Sequence, residues 1–447
     1  MDDGLGNPSA NEPKDEHVAA SPIAEKVPAA SPRAAVDREL SSGKPLSASW
    51  RPEPLSEAEG SKVVQILEAC RNRDVEALAA LATSRHGLVE DEIRRAAWPV
   101  LLGCSSDAYK QQPPWQSLPP HKDEDQVRLD VNRSFVYYPS NESEKQIDHR
   151  KQELSNLITE VLRRHPSLCY FQGYHDIVQV LLLVLGADKG APSVAHLSLL
   201  RIRDFMLPAL SAAIAHLKLL PSILYAQDSE LCRHLSHTEP FFALAATLTL
   251  YAHDIEEYGD IARLFDFLLA REAVMSVYLF AVVVMSRKTE LLEIEPDEPE
   301  MLHSVLSKLP KPLDLEALIA STVNLFNSHP PESLPNRAWR NISSYSVLKT
   351  TRTPTQLITQ TLEYGEEMFA KQAAQMRRAE RRDHLRKEAG RLANKYKRPA
   401  GALGLAVAVA VLSWWMRRNG VASSAYAMAG PFRDAWTRVA SSVRTVF

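Results

Sequence analysis

Cysteine is scarce: Cys70, Cys104, Cys169 and Cys232 stand far apart in a chain of 447 residues, with no CxxC pair. That spacing offers neither a disulfide framework nor a zinc knuckle, and a reducing compartment is the simplest setting for it. Charge bias is missing too. The 52 Lys and Arg face 55 Asp and Glu, a net charge of −3, which argues against a basic nucleic-acid coat and against an acidic solvating polymer. Hydrophobic residues are 45% of the chain, ordinary for a globular protein and too few for one made mostly of membrane spans. The start has no basic cluster leading into an apolar run, so no secretory signal is read there. Its acidic residues disfavour a mitochondrial presequence, and the amino-terminal part is expected to stay in the cytosol. Common enzyme templates are absent as well: no GxxxxGK[ST], GxSxG, HExxH or GxGxxG occurs. His165, Cys169, His175 and Asp176 crowd together in sequence, but at no common zinc spacing, and read as scattered helix-surface and core residues.

Residues 1–55, rich in Pro, Ala, Ser and acidic side chains with Trp50 as the only aromatic, cannot bury enough apolar area to offset chain entropy and are expected to be a disordered tail. From Ser56 the pattern turns helical, starting with Val63, Val64, Leu67, Leu78 and Leu81 between charged positions. Strand-like alternation is scarce, and glycine numbers only 16. Helices are expected over 152–164, 176–185, 229–235, 242–253, 261–269, 273–286 and 313–326. Pro166, Pro192, Pro208, Pro221, Pro240 and Pro310 are expected between helices. Residues 56–350 therefore read as one all-α domain. The apolar run 273–285 is too short to cross a bilayer and reads as a buried core helix.

Two changes follow. Residues 371–398, within a helical segment placed at 351–398, hold eleven basic residues and three acidic ones, a net +8 that leaves −11 for the rest. Residues 399–416 then carry no charge and end at Arg417 and Arg418. Eighteen residues at 1.5 Å each give about 27 Å, close to the hydrocarbon thickness of an endoplasmic-reticulum bilayer. Trp414 and Trp415 fall where an interfacial aromatic belt sits. The reading is a single transmembrane helix with a basic juxtamembrane clamp on anionic cytosolic lipid, which puts the amino terminus in the cytosol. Residues 417–447 become a short lumenal tail, in which 431–447 could form an amphipathic helix. The alternatives are a buried core helix for the span, and a solvated helix or a nucleic-acid surface for the basic segment.

Three segments carry a specific pattern. Residues 93–103 contain Arg94, Trp98, Leu101, Leu102 and Gly103 in the arrangement RxxxWxxLLG; Val127, Asp130 and Arg133 stand as IxxDxxR with Val for Ile; Tyr170, Gln172, Gly173 and Asp176 complete YxQGxxD. In this order they resemble the TBC domain of GTPase-activating proteins for Rab GTPases. A weaker fourth similarity is 261–266, ending in Asp266, with Phe265 where the family usually has Trp. The resemblance covers about 88–326 and implies an all-helical TBC-type fold.

It also implies chemistry. During GTP hydrolysis, negative charge develops on the oxygens around the γ-phosphate, and a slow GTPase lacks positive charge and a well-held water. A guanidinium supplied in trans is worth about 10³ to 10⁵ in rate, or roughly 4 to 7 kcal/mol. By resemblance Arg133 is that finger, and Gln172 is a glutamine that positions the attacking water from outside. Asp130 is expected to hold Arg133 or its segment, Gly173 to allow close approach or an unusual dihedral, and Tyr170 and Asp176 to brace the loop, Asp176 also able to cap the following helix. Arg94, Trp98 and Asp266 read as scaffold, Arg94 packing across the indole or pairing with a carboxylate. The chain needs no cofactor of its own, because GTP and magnesium arrive with the GTPase.

With its carboxyl-terminal span the arrangement resembles the tail-anchored branch of the TBC family embedded in the endoplasmic reticulum, and that resemblance implies a Rab GTPase activator in early secretory transport, a single-pass protein of the endoplasmic-reticulum membrane with its domain in the cytosol. It is not an enzyme with its own turnover, and a soluble fragment 56–354 is expected to suffice for the stimulation. The rival from another class is a membrane-anchored TBC module that binds a Rab or scaffold without stimulating hydrolysis. A nucleic-acid binder rests on the +8 segment alone.

Overall fold

The structure is a computed structural model that describes residues 55–104, 109, 112–139 and 142–418, with the backbone alone for 188, 392–403 and 417. The expected tails 1–55 and 417–447 lie outside it, apart from residues 55, 417 and 418. Among the described residues every regular element is a helix.

Local sequence explains where the helices start. Ser56 caps α1 (Glu57–Asn72): its hydroxyl accepts from the Glu59 amide at 3.3 Å, and Glu59 Oε2 accepts from the Ser56 amide at 2.9 Å. This reciprocal capping box satisfies two amides that a helix start leaves open. Asp74 caps α2 (Val75–Thr83) through the Ala77 amide at 3.0 Å. There follow α3 (Asp91–Leu101), α4 (Glu124–Val131), α5 (Glu144–Arg164), α6 (Tyr174–Leu185) and α7 (Ala187–Leu200), then α8 (Tyr258–Ala270), α9 (Met275–Ser286) and α10 (Leu315–Ser328). α8 packs on α2 and α3, α5 on α4 and α7, and α9 on α10. In α6 every position but Asp176 is buried, and in α9 every residue from 275 to 284 is buried. The run 273–285 is therefore a core helix, each fully buried large aliphatic or Phe side chain contributing about 1.5–3 kcal/mol relative to exposure.

Two expectations need correction. Pro192 does not separate helices but lies inside α7, which starts directly after Gly186. An internal proline removes one hydrogen bond and costs about 3 kcal/mol; burial of Val194, Ala195, Leu197, Leu199 and Leu200 on the same helix outweighs that cost. Pro221 likewise lies within a helix, in the first turn of Leu220–Gln227, where its missing N–H is not needed. The second correction concerns 242–253, which is not one helix. A 3-10 turn, Pro240–Ala243, leads into the short Leu244–Leu248, after which Leu250 and Tyr251 adopt left-handed φ of 50° and 68°. The reversal drives Tyr251 into the core, where its hydroxyl donates to the Ser276 carbonyl at 2.7 Å. It also brings Thr249 to the loop before α6.

At the carboxyl end, α11 (Leu362–Arg418) is a single helix. Its first turns belong to the domain: Phe369, Gln372 and Ala373 are buried, and a Cβ on Gly365 would stand 2.8 Å from Leu199 Cβ on α7. A fragment ending at residue 354 strips this packing away, so the folded unit runs to about 376. From Arg377 the helix leaves the domain and is largely exposed to residue 391. Leu405, Val407, Val411, Leu412, Trp414 and Trp415 are each more than half exposed, which rules out a buried core helix for that stretch. Among the described residues no helix is long and apolar enough to cross a membrane; the first five side chains of the expected span 399–416 fall outside the described set.

Candidate functional site

The RxxxWxxLLG segment forms α3 and the turn after it. Arg94 and Trp98 lie one turn apart and both reach Asp266 of α8. The Asp266 carboxylate, fully buried, accepts from Trp98 Nε1 at 2.8 Å, from Arg94 Nε and Nη2 at 3.0 Å each, and from the Leu88 amide at 2.9 Å. Arg94 also donates to Asp91 at 3.0 Å, and Tyr258 donates to the other Asp91 oxygen at 2.8 Å. Burial works against the Arg94 charge, but Asp266 and Asp91 outweigh it and raise its pKa above the usual arginine value. Arg94 thus pairs with carboxylates and does not pack across the indole. The ring that meets Trp98 is Phe265, at 5.9 Å between centroids. Gly87, at φ 52°, allows this approach, since a Cβ there would stand 2.5 Å from Asp266 Oδ2.

The second and third segments meet at one carboxylate. α4 ends at Val131, leaving Asp130 fully buried and Arg133 in the turn beyond, where the Arg133 amide donates to the Asp130 carbonyl at 3.0 Å. Asp130 Oδ1 accepts from Arg133 Nη2 at 2.5 Å and from Gln126 Nε2 at 3.0 Å; Oδ2 accepts from the Tyr170 hydroxyl at 3.0 Å. One nitrogen of the guanidinium is held while the side chain remains 67% exposed. Burial, with the Asp130 charge added, pushes the Tyr170 phenol far above its ordinary pKa, so it remains a donor. The Tyr170 amide is itself held by Asp123 Oδ2 at 3.0 Å. Two residues on, Gln172 is exposed.

Gly173 is the N-cap of α6 at φ 97°, and a Cβ there would stand 2.5 Å from Thr249 Cγ2. Glycine meets both demands. Gly173→Ala is expected to lose about 1–3 kcal/mol from dihedral strain and overpacking, read by urea unfolding, with Thr249→Ser restoring only the packing share. A variant as stable as the parent would refute this.

Asp176 does not cap α6. It is the third residue of that helix, where a negative charge is favoured by the helix dipole, and its carboxylate meets His253 Nδ1 at 3.1 Å and lies 3.3 Å from His175 Nε2. The bond to Asp176 raises the His253 pKa, whereas burial lowers that of His175. His165 pairs elsewhere, with Glu366 at 2.7 Å, and Cys169 sits 3.4 Å from Lys122 Nζ. Among the described residues no group of three or more such side chains is placed to hold a metal ion.

Several contributors escaped the sequence reading. Asp123 and Gln126 look like ordinary charges and amides of an exposed helix, and Thr249 sits inside what reads as a continuous helix. Leu129, Val136 and Tyr137, flanking Arg133 in sequence, are 59%, 74% and 50% exposed. The only signal for them is that Leu129 lies off the buried Val127–Val131 face of α4.

Comparison with known proteins agrees with this layout. The RabGAP-TBC family model, described as the Rab-GTPase-TBC domain, matches residues 91–292, from the first residue of α3. GTPase-activating protein gyp10 of Schizosaccharomyces pombe is 34% identical over 302 residues, covering 65% of this chain and 78% of that protein. TBC1 domain family member 20 of Homo sapiens is 36% identical over 284 residues, covering 62% of this chain and 70% of that one. GTPase-activating protein GYP8 of Saccharomyces cerevisiae is 29% identical over 232 residues, 46% of this chain and 45% of its own length. With RxxxWxxLLG, IxxDxxR and YxQGxxD folded around Asp266 and Asp130, the chain belongs to the Rab-GTPase-TBC domain family.

Proposed function

We propose that this chain activates a Rab-family GTPase by inserting Arg133 and Gln172 into its nucleotide site, the GTPase bringing its own GTP and magnesium. The observation that carries the reading is the Asp130 carboxylate, which holds the exposed Arg133 on one oxygen and, through Tyr170, the loop of exposed Gln172 on the other. A guanidinium held at one nitrogen keeps its remaining donors free for phosphate oxygens and enters the reaction already oriented. A side-chain amide can accept from a water while donating to an oxygen, which suits Gln172 to positioning the nucleophile. The test is single-turnover GTP hydrolysis across a panel of Rab proteins with the full chain or a fragment 55–376. Acceleration of at least one member supports activation. Binding of a GTP-loaded Rab without acceleration would favour the rival, a capture module.

The carboxyl end supports membrane attachment. Among the described residues none covers the exposed apolar side chains of Leu405, Val407, Val411, Leu412, Trp414 and Trp415, and exposed apolar surface of this kind marks a lipid or partner contact. We read 399–416 as a span preceded by a cytosolic basic clamp in a single-pass protein, and its short length favours the thin bilayer of the endoplasmic reticulum; the role in ER–Golgi transport that we propose follows from the resemblance to the tail-anchored branch of the family. The full chain is expected to resist alkaline carbonate extraction, and deletion from residue 399 to release it. Release of the intact chain by carbonate would remove the anchor.

A further inference from the structure

Where α11 leaves the domain, a cleft of about 760 Å³ opens between the helix and the loop that holds Ser344 and Tyr345. Its helical wall presents Lys371, Arg378, Arg381 and Arg382. The three arginines are spaced at i, i+3 and i+4 and share one face. Lys371 pairs with Glu367 at 2.6 Å, whereas among the described residues no carboxylate pairs with any of the three arginines. The opposite wall is fixed from two sides: Ser343 Oγ donates to Gln375 Oε1 of α11 at 2.6 Å, and the Tyr345 carbonyl accepts from the buried Arg203 Nη2 at 2.6 Å. A preset cleft, three uncompensated guanidiniums and two hydroxyl-bearing side chains together make a recognition site for phosphate oxygens, which arginine binds through paired donors. The volume lies in the range of small-molecule sites and exceeds what one phosphate fills.

We propose that this cleft binds a multiply phosphorylated anion of the inositol-polyphosphate class, either free or as a lipid headgroup. The inference does not rest on the proposed GTPase activation. Along the continuous helix Arg382 lies seventeen residues before Pro399, about 26 Å at 1.5 Å per residue, so the cleft is distinct from the part of the basic segment nearest a bilayer. Calorimetric titration of the full chain in neutral detergent micelles with inositol hexakisphosphate is expected to show one site per chain, at least tenfold tighter than for inorganic phosphate. The triple variant Arg378→Ala, Arg381→Ala, Arg382→Ala should lose at least tenfold in affinity. So should Ser344→Glu, which brings a carboxylate to the cleft without altering the helix. The triple variant Arg386→Ala, Lys387→Ala, Arg391→Ala removes the same charge further along and should lose less than threefold. Equal losses from the two triple variants, or no preference over inorganic phosphate, would overturn the proposal in favour of diffuse charge attraction. Micelles doped with phosphatidylinositol 4,5-bisphosphate separate the sources: suppressed titration places a lipid headgroup in the cleft, and an unchanged titration leaves the soluble anion as its ligand.

Discussion

Arg133→Ala is expected to lower the stimulated rate of single-turnover GTP hydrolysis by about 10³ to 10⁵, while affinity for the GTP-bound partner changes far less. The size follows from the charge that a single guanidinium neutralises as the phosphoryl group transfers, roughly 4 to 7 kcal/mol of barrier. Arg133→Lys should recover little, because an ammonium lacks the planar fork. The fold should survive, since the side chain is two-thirds exposed and the buried Asp130 carboxylate keeps its hydrogen bonds from Gln126 and Tyr170. Asp130→Asn separates chemistry from placement. It keeps the acceptor oxygen but removes the charge that grips Arg133, and Tyr170→Phe removes the tie from the same carboxylate to the Gln172 loop. Both are expected to lose less than Arg133→Ala, and Gln172→Ala to lose most of the stimulation. Full acceleration by Arg133→Ala would sink the finger assignment.

Asp266→Ala carries the largest expected cost in stability, about 3–5 kcal/mol. Arg94 is almost entirely buried, and Asp266 supplies most of what compensates its charge. Removing one partner of a buried ion pair leaves the other desolvated and unpaired, and here the Trp98 Nε1 and Leu88 amide donors are orphaned as well. Against a net folding stability of about 5–15 kcal/mol, that loss threatens the domain. Asp266→Asn retains an acceptor but directs an amide donor at Arg94, and should fall between the parent and the alanine variant. Urea unfolding of the fragment 55–376 reads the difference; a loss below about 1 kcal/mol would show that Arg94 finds its compensation elsewhere.

How far the sequence could be read depended on whether a contact was local. The helical onset at Ser56 and the apolar run that became α9 were legible, because periodicity and continuous burial leave marks within a few residues. The break in 242–253 was not. Its composition suits a helix, and only the space awaiting Tyr251 and the carbonyl of Ser276 makes the reversal favourable. Pro192 misled for the same reason, since its cost is met by side chains that find their partners across the fold. At the site, the unusual dihedral expected of Gly173 is there at φ 97°, but its second reason for being glycine was not legible, because the atom that forbids a Cβ belongs to Thr249, far along the chain.

Few cysteines, balanced charge and sparse glycine excluded several classes of protein, and three short motifs in order named the family; those properties reside in residue identity and near spacing. Sequence also located the uncharged stretch 399–416 and the +8 segment before it. Only the tertiary structure decided that Asp130 joins Arg133 to the loop of Gln172, that Asp266 draws together Leu88, Arg94 and Trp98, that the domain takes in the first turns of α11, and that Arg378, Arg381 and Arg382 face a formed cleft. The physical reason is common to all four. A buried carboxylate, an unpaired guanidinium or the apolar face of a helix turn takes its meaning from the groups that surround it, and those groups come from chain segments far apart in sequence.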